Sequence, residues 1–218
     1  CISQGFFIHL YGTGNLLILT AMAYDRYIAI CCPLRYNSII SPRNLIKIII
    51  VIWSINFSII FTLFLLVARF KICRTNIVDL YCNNPSLTKL ICEDTRVNNY
   101  YGIMSLFICP GGPLAVILYT YARIFYTCIM TKNVEAWKKA IQTCGTHLVV
   151  FLILEINTTF TFIVHRIPGA SPYVRRALGV SVLIFPPFLD PIIYGLKTTE
   201  LKQSMLLFLK RNPCSNKL

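Results

Sequence analysis

Charged side chains are scarce in this sequence, and their scarcity limits the kinds of protein it can form. Only 13% of the 218 residues are charged, whereas 56% are hydrophobic. A soluble domain carries roughly 25% charged residues. From Leu45 to Val67 the one charged residue is Lys47. An apolar run of about 20 residues matches the hydrocarbon thickness of a bilayer. The sequence therefore predicts membrane-spanning helices rather than a soluble domain with a large core.

Acidic residues are the scarcer charged type, with 8 Asp and Glu against 21 Lys and Arg and a formal net charge of +13. Such a charge suggests nucleic-acid binding only when the basic residues cover one soluble face. Here they lie between apolar stretches, where they are better explained as topology signals and as contacts for anionic headgroups. We therefore expect membrane lipids, and no nucleic acid, among the partners.

The sequence also lacks the motifs of enzymes and cofactor-binding proteins. It has no Gly-rich phosphate loop and no nucleophile elbow. Its three histidines, His9, His147 and His165, lie at different depths and form no metal-ligand set. We expect no enzymatic activity, no cofactor and no metal ion.

Five apolar stretches are long enough to cross a bilayer, which predicts an all-α membrane protein. They run over about Ile2–Ile30, Leu45–Val67, Tyr101–Met130, Thr143–Val164 and Ala177–Leu196. The basic residues favour a cytoplasmic location for the segments after the first, third and fifth stretches. The two remaining connections, 69–100 and 165–176, then lie on the opposite side.

The two ends of the sequence carry further signals. Because the first residue is Cys1 and not Met, we expect the natural chain to begin earlier. After the fifth stretch, an apolar stripe that includes Leu201 and Leu209 predicts a short amphipathic helix over about 199–210, suited to the membrane surface. Cys214 beyond it is either an acylation site or an unmodified thiol.

Cysteines crowd the long connection between the second and third spans. Cys73, Cys82 and Cys92 lie there, and Cys1 lies at the same face of the membrane. Four thiols on an oxidising side can pair in three ways. We expect a disulfide that fixes this loop over the bundle; free loop thiols are the alternative.

Three motifs point to a family. They are Met22 to Cys31 followed by Pro33-Leu34-Arg35-Tyr36, Lys139 to Leu148, and Asp190 to Gly195. Together they resemble the signatures of olfactory receptors, within the rhodopsin-like G-protein-coupled receptors. The resemblance implies a seven-helix bundle, of which 1–218 would hold the last five spans.

The resemblance also implies chemistry and partners. It implies disulfides from Cys1 to Cys82 and from Cys73 to Cys92, and a location in the plasma membrane. It further implies a small-molecule odorant as ligand, and a stimulatory heterotrimeric G protein as partner, with cyclic AMP as output.

Asp25 and Arg26 are the central pair of the predicted activation switch. An Arg at a buried helix end is costly unless it is paired, and Asp25 supplies the opposite charge. In receptors that the chain resembles, activation swings the fourth span outward, so that Arg26 turns toward Tyr121 and Tyr194.

The predicted switch residues are Asp25, Arg26, Tyr27, Tyr121, His147, Asp190, Pro191 and Tyr194. The predicted G-protein contacts are Arg26, Pro33, Leu34, Lys138 and Lys139. The alternative is that Asp25 and Arg26 only anchor the helix at the membrane interface.

Residues at helical spacing predict a ligand pocket between the spans. The predicted ligand-binding residues are His9, Gly12, Thr13, Glu155, Thr158, Thr159, Phe162, Val180 and Leu183. Apolar walls with a few hydroxyls suit small, mostly apolar molecules with one polar group.

Glu155 departs from the family pattern, as do Asn15 and Asp190. Either Glu155 pairs with a cationic or hydrogen-bonding odorant, near His9, or it is protonated and bonded to an internal partner such as Asn15 or His147.

Two other functions compete with this interpretation. A rhodopsin-like receptor for amines or peptides would be favoured by an acid at position 8, where the chain has Ile8, and by a Cys-Trp-x-Pro motif in the fourth span, which is absent. A transporter would be favoured by internal repeats, of which we find none.

Overall fold

The computed structural model describes residues 1–77, 79–131, 134–167 and 169–197, with the backbone alone at 134–137, 139–143, 190 and 192–197. The helices are α1 (Ile2–Cys31), α2 (Tyr36–Ile39), α3 (Pro42–Ala68), α4 (Asn84–Thr88), α5 (Arg96–Ile108), α6 (Gly111–Met130), α7 (Val134–Arg166) and α8 (Pro172–Lys197), with a 3-10 turn at Pro33–Arg35. The predicted all-α membrane fold is confirmed. The helix predicted over 199–210 and Cys214 lie outside the described residues.

Local chemistry explains where two of these helices begin and end. α3 begins at Pro42, three residues before the predicted span, because Ser41 caps it by accepting a hydrogen bond from the Asn44 backbone N–H at 3.4 Å. The third predicted span is divided at Cys109 and Pro110 into α5 and α6. Pro110 and Pro113 each lack the backbone N–H that an uninterrupted helix would use there.

Four helical segments among the described residues are long and apolar enough to cross a membrane. They are α1, α3, the stretch Arg96–Met130 that contains α5 and α6, and Cys144–Arg166 within α7. α8 does not belong to this group, and it contains Pro186, Pro187 and Pro191 inside the helix. The fifth span over 177–196 therefore stays a prediction.

The outward face of α3 shows how the helices meet their surroundings. Ile50 is 58% exposed, and Phe57 and Phe61 are 47% and 49% exposed. The rings of Phe57 and Phe61 stack with their centroids 5.6 Å apart. A large apolar face of this kind is unfavourable in water but suits contact with lipid tails.

Two apolar clusters form the interior. One lies between α1, α6 and α7 and is formed by Leu16, Leu19, Ala23, Ile117, Tyr121, Ile124, Cys128, Cys144, Val150, Phe151 and Leu154. The other joins α3 to the segment that follows it and is formed by Ile60, Leu63, Phe64, Val67, Leu87, Leu90 and Ile91. The second cluster fixes that segment against the end of α3.

We call residues 69–95, between α3 and α5, the roof loop. Disulfides join Cys1 to Cys82 and Cys73 to Cys92, which is the pairing that the family resemblance implies. An antiparallel bridge pairs Ile72 with Ile91, and the carbonyl of Leu90 accepts from the Cys73 backbone N–H at 3.0 Å. The roof loop is thus an ordered cover tied to the first residue of the chain.

Gly5 allows α1 and the roof loop to approach closely. A Cβ added at Gly5 would lie 2.7 Å from the carbonyl oxygen of Cys82 and 2.8 Å from a ring carbon of Phe64. By contrast, a Cβ at Gly145 in α7 would meet nothing within 4 Å.

We predict that Gly5→Ala lowers the free energy of unfolding by about 1–3 kcal/mol, because the added methyl group must displace backbone. Thermal unfolding of the purified full-length protein in detergent measures the effect. Gly145→Ala is the control and should be neutral or stabilising, since Ala favours the helix over Gly by about 1 kcal/mol. Equal melting temperatures for Gly5→Ala and the wild type would contradict this account of the close contact.

Candidate ligand pocket and signalling switch

A cavity of about 120 Å³ lies beneath the roof loop. α1 contributes His9, Gly12 and Thr13, while the roof loop contributes Tyr81, Asn83, Asn84 and Pro85. The remaining walls are formed by Ile8 of α1, Ile60 and Leu63 of α3, Gly102, Ser105 and Leu106 of α5, Cys109 and Pro110 after it, Thr158, Thr161, Phe162 and His165 of α7, and Val182 of α8. The cavity is therefore apolar with a small number of polar groups, as expected of a small-molecule site.

Five of the nine predicted ligand residues line this cavity, namely His9, Gly12, Thr13, Thr158 and Phe162. The other four, Glu155, Thr159, Val180 and Leu183, are not part of its lining. On α7 the lining positions recur every three or four residues from Thr158 to His165, and Glu155 and Thr159 fall on the neighbouring stripe. On α8 the residue that reaches the cavity is Val182, between the two predicted positions.

Glu155 lies inside the bundle rather than in the cavity. Its side chain is hydrogen-bonded to Thr159, and the residue is 5% exposed. Glu155 is therefore not part of this cavity's lining, and its pairing with an odorant stays a prediction.

Hydrogen bonds hold the polar groups at the α1 side of the cavity. The Thr13 hydroxyl lies 2.6 Å from Asn56 Oδ1 of α3, and Asn56 Nδ2 donates to the Leu10 carbonyl at 2.9 Å. His9 Nδ1 donates to the Gly5 carbonyl at 2.9 Å, which leaves its Nε2 as an acceptor in the neutral ring. These bonds fix the orientation of His9 and Thr13 beside the cavity.

A buried ionic cluster, which the sequence analysis did not find, connects the roof loop to α7 and α8. The Asp79 carboxylate accepts from Arg175 Nη2 of α8 at 2.7 Å and lies 3.8 Å from His165 Nε2 of α7. It also accepts from the Ser86 hydroxyl. The Asp79 side chain is only 3% exposed. A buried carboxylate is stable only when it is paired and hydrogen-bonded in this way.

The cluster sets the protonation behaviour of the roof loop. Burial raises the pKa of Asp79, but hydrogen bonds from Ser86 and Arg175 and the nearby His165 and Arg175 outweigh it, so the pKa is lowered from 3.8. Burial, assisted by the Asp79 charge, raises the pKa of Tyr81 to about 12. The Tyr81 ring packs on Gly179 of α8, where an added Cβ would lie 2.8 Å from it.

Asp25 and Arg26 are adjacent near the end of α1, but their contact is loose. Arg26 Nε lies 4.0 Å from Asp25 Oδ2, and the two side chains are 40% and 30% exposed. Asp25 accepts a closer hydrogen bond from the Tyr36 hydroxyl, at 2.9 Å. The carboxylate is thus shared between Arg26 and α2.

Tyr121 and His147 form the buried polar contact between α6 and α7. The Tyr121 hydroxyl lies 2.6 Å from His147 Nδ1, and the two residues are 2% and 0% exposed. The Tyr27 ring instead packs at a tilt near the Tyr119 ring, with centroids 6.3 Å apart. The structure therefore brings together two predicted switch residues, Tyr121 and His147, in a contact that the sequence analysis did not specify. The side chains of Asp190 and Tyr194 lie outside the described residues, and Pro191 is exposed.

Comparison with known proteins decides the family. The sequence profile of the olfactory receptor family matches residues 1–211. The chain belongs to the olfactory receptor family. Human olfactory receptor 52B2 is 34% identical over 207 residues, which cover 94% of this chain and 64% of that protein. Human olfactory receptor 51I1 is 32% identical over 214 residues, covering 97% of this chain and 68% of that protein. The chain thus spans a little under two thirds of the length of the first of these relatives.

Membership of the olfactory receptor family settles several points. Olfactory receptors are multi-pass proteins of the plasma membrane and are not enzymes. The two disulfides of the roof loop and the apolar faces of the helices fit this location. Family membership also excludes the alternative that the chain is a transporter.

The loop after α1 presents the predicted G-protein contacts to the outside. Leu34 is fully exposed and Pro33 is exposed beside it in the 3-10 turn. Lys138 is exposed near the start of α7, and the side chain of Lys139 lies outside the described residues. The binding of a G protein to this surface stays a prediction.

We predict that Asp79→Asn lowers the free energy of unfolding at neutral pH by about 3 kcal/mol, because it leaves Arg175 without its buried carboxylate. Since folding lowers the pKa of Asp79, its carboxylate stabilises the fold above the ordinary value of 3.8, and the stabilisation fades as the pH falls below that value. The melting temperatures of variant and wild type should therefore converge on acidification. Asp94→Asn, which removes an exposed carboxylate paired with Arg96, is the control and should change little. A difference that persists unchanged at low pH would refute this assignment.

Proposed function

We propose that this chain is the ligand-binding and transducing part of an odorant receptor. It binds a small, mostly apolar molecule in the cavity beneath the roof loop and activates a stimulatory heterotrimeric G protein. The observation that carries the proposal is the cavity itself. Its walls come from α1, α3, α5, α7, α8 and the roof loop, so a ligand inside it touches several helices at once, including α7, which carries the predicted switch residue His147.

α7 connects the cavity with the predicted switch. Thr158 and Phe162 of this helix line the cavity, and His147 of the same helix holds Tyr121. Thr158 follows His147 by eleven positions, which corresponds to about 16 Å along a helix. A ligand that moves α7 by its contact with Thr158 and Phe162 thereby acts on the bond between His147 and Tyr121.

Release of Tyr121 gives Arg26 a new partner. In the resting arrangement the Arg26 guanidinium is held weakly, since its Nε lies 4.0 Å from Asp25 Oδ2. Breaking the contact between Tyr121 and His147 frees the tyrosine hydroxyl to accept from Arg26 instead. The exchange has two discrete arrangements, as a switch requires, and the ligand shifts the population between them.

The choice of a stimulatory G protein rests on the family resemblance and on the basic loops on the predicted cytoplasmic side. Leu34 and Lys138, both exposed, are the apolar and the charged residue of the predicted G-protein contact. Cyclic AMP is the readout that distinguishes this class, because an inhibitory G protein would lower it and a calcium-coupled one would leave it unchanged.

We predict that the full-length receptor raises cyclic AMP in response to a panel of small ketones, esters, alcohols and amines, and that Arg26→Ala abolishes the response. The arginine is required because no neutral side chain can exchange the Asp25 carboxylate for the Tyr121 hydroxyl. Arg96→Ala, on the opposite side of the membrane, should leave the response intact. Surface labelling must show equal amounts of each variant. An undiminished response of Arg26→Ala would refute the switch, and a wild-type response seen only as falling cyclic AMP would refute the stimulatory assignment.

We predict that Tyr121→Phe lowers the cyclic AMP response at a fixed, subsaturating ligand concentration about fivefold. The variant loses a neutral hydrogen bond to His147 in the resting state, worth about 1 kcal/mol, and a charge-assisted hydrogen bond from Arg26 in the active state, worth about 2 kcal/mol. The net loss of about 1 kcal/mol favours the resting state and corresponds to a roughly fivefold change in the ratio of the two populations. Tyr119→Phe on the exposed face of α6 serves as the matched control and should retain the full response. An unchanged response in Tyr121→Phe would show that this hydroxyl is not part of the switch.

A further inference from the structure

Two buried side-chain amides of the roof loop border the cavity, and the sequence analysis assigned them no role. Asn83 and Asn84 are 4% and 3% exposed, and both line the cavity. Within the described part of the chain, the Nδ2 atom of each has no hydrogen-bond partner. An unpaired buried donor costs about 1–3 kcal/mol, so such groups are expected to meet a partner in the working protein.

The orientation of the Asn83 amide is fixed by its role at the start of α4. Its Oδ1 accepts a hydrogen bond from the Ser86 backbone N–H at 2.8 Å and so caps the helix. A backbone N–H can be accepted only by the amide oxygen, which identifies Nδ2 as the atom left over. The amide cannot turn its oxygen to the cavity without losing the cap, so this position offers a donor.

The backbone that carries Asn83 is also held in place. The preceding residue, Cys82, is disulfide-bonded to Cys1, and its N–H donates to Gln4 Oε1 of α1 at 3.3 Å. On the other side, Leu87 of α4 donates its N–H to the Asn83 carbonyl at 3.0 Å and is 1% exposed in the apolar cluster beneath the loop. The donor is therefore preorganised, which reduces the entropy that a ligand must offset on binding.

We propose that Asn83, assisted by the adjacent Asn84, determines the ligand class by donating hydrogen bonds to a carbonyl-type oxygen at one end of an otherwise apolar molecule. This inference rests on the proposed function, because it names the ligand of the same cavity. Amide N–H groups attract an oxygen acceptor and disfavour an ammonium group, which brings donors of its own. The receptor accordingly prefers a ketone or an ester over an amine of the same length, whereas Glu155 in the sequence left a cationic odorant open as one alternative.

The test compares three straight-chain probes of equal length in a cyclic AMP assay of the full-length receptor: a methyl ketone, a primary amine and an alkane. The variants are Asn83→Ser and Asn83→Asp, because Ser and Asp both retain the cap of α4 while removing the amide donor. Thr88→Val on the same short helix is the control, since Thr88 donates only to the Pro85 carbonyl and does not line the cavity. Surface labelling and melting temperature report whether each variant folds.

The ketone should be the most potent probe on the wild type and should lose about tenfold in potency on both Asn83 variants, as expected for a lost buried hydrogen bond of about 1.4 kcal/mol. Asn83→Asp should in addition gain sensitivity to the amine, a change that a purely structural role would not produce. Thr88→Val should respond like the wild type.

Other outcomes separate the two proposals. Equal ketone potency in the wild type and both Asn83 variants, or a wild type that prefers the amine or the alkane, would overturn the role of Asn83 and leave the odorant receptor intact. The proposed function would be overturned if the wild type reached the cell surface but no small molecule of the wider panel changed cyclic AMP. This inference would then fail with it.

Discussion

Contacts between helices that lipid tails cannot replace hold this bundle together. In a bilayer an apolar side chain gains little by turning inward, so close packing at small residues and hydrogen bonds between helices must supply the association. The chain has both kinds. Gly5 lets the roof loop touch α1, and the bond between Thr13 and Asn56 joins α1 to α3. Tyr121 and His147 join α6 to α7 in the same way. Phe57 and other large apolar residues meanwhile remain outside, toward lipid.

The polar contacts differ between the two ends of the bundle. The roof loop is fixed by two disulfides, by its own apolar cluster and by the buried Asp79. The predicted switch region has the buried contact between Tyr121 and His147, the hydrogen bond from Tyr36 to Asp25 and the loose pair of Asp25 and Arg26. A disulfide-bonded roof loop and a loose pair of Asp25 and Arg26 would suit the proposed function, in which a ligand alters contacts some 16 Å away along a helix. Small differences in binding energy can then shift the populations of the proposed switch.

Much of the fold could be predicted from the sequence because its causes are local. Apolar run length predicted the helices, and Ser41 with Pro42 explains why α3 starts earlier than the apolar run alone suggests. The pocket was predicted in part: the spacing of Thr158 and Phe162 placed them on one face, but the same spacing also admitted Glu155 and Thr159. Helical periodicity groups residues that lie on the same side of a helix. It does not say which side faces the cavity, because the packing of neighbouring helices decides that.

The roof cluster could not be predicted, for a different reason. Asp79 and Arg175 are separated by 96 positions, and nothing in the pattern around either residue indicates a partner. His165, the third member, was set aside because the three histidines lie at different depths. Asn83 and Asn84 lie in a loop without periodicity, where residue type alone does not distinguish a helix cap from a ligand contact. Tertiary contacts of this kind become visible only in three dimensions.

The disulfide between Cys1 and Cys82 has a consequence for biosynthesis. Its two cysteines are 81 positions apart, and both α1 and α3 lie between them. Both helices must therefore be inserted before the two sulfur atoms can meet, and the bond forms only in the oxidising lumen of the secretory pathway. Membrane insertion alone gives a helix bundle whose roof loop is not yet joined to Cys1. The cover over the cavity is therefore completed only after both helices are in place, when Cys1 and Cys82 are oxidised to the disulfide.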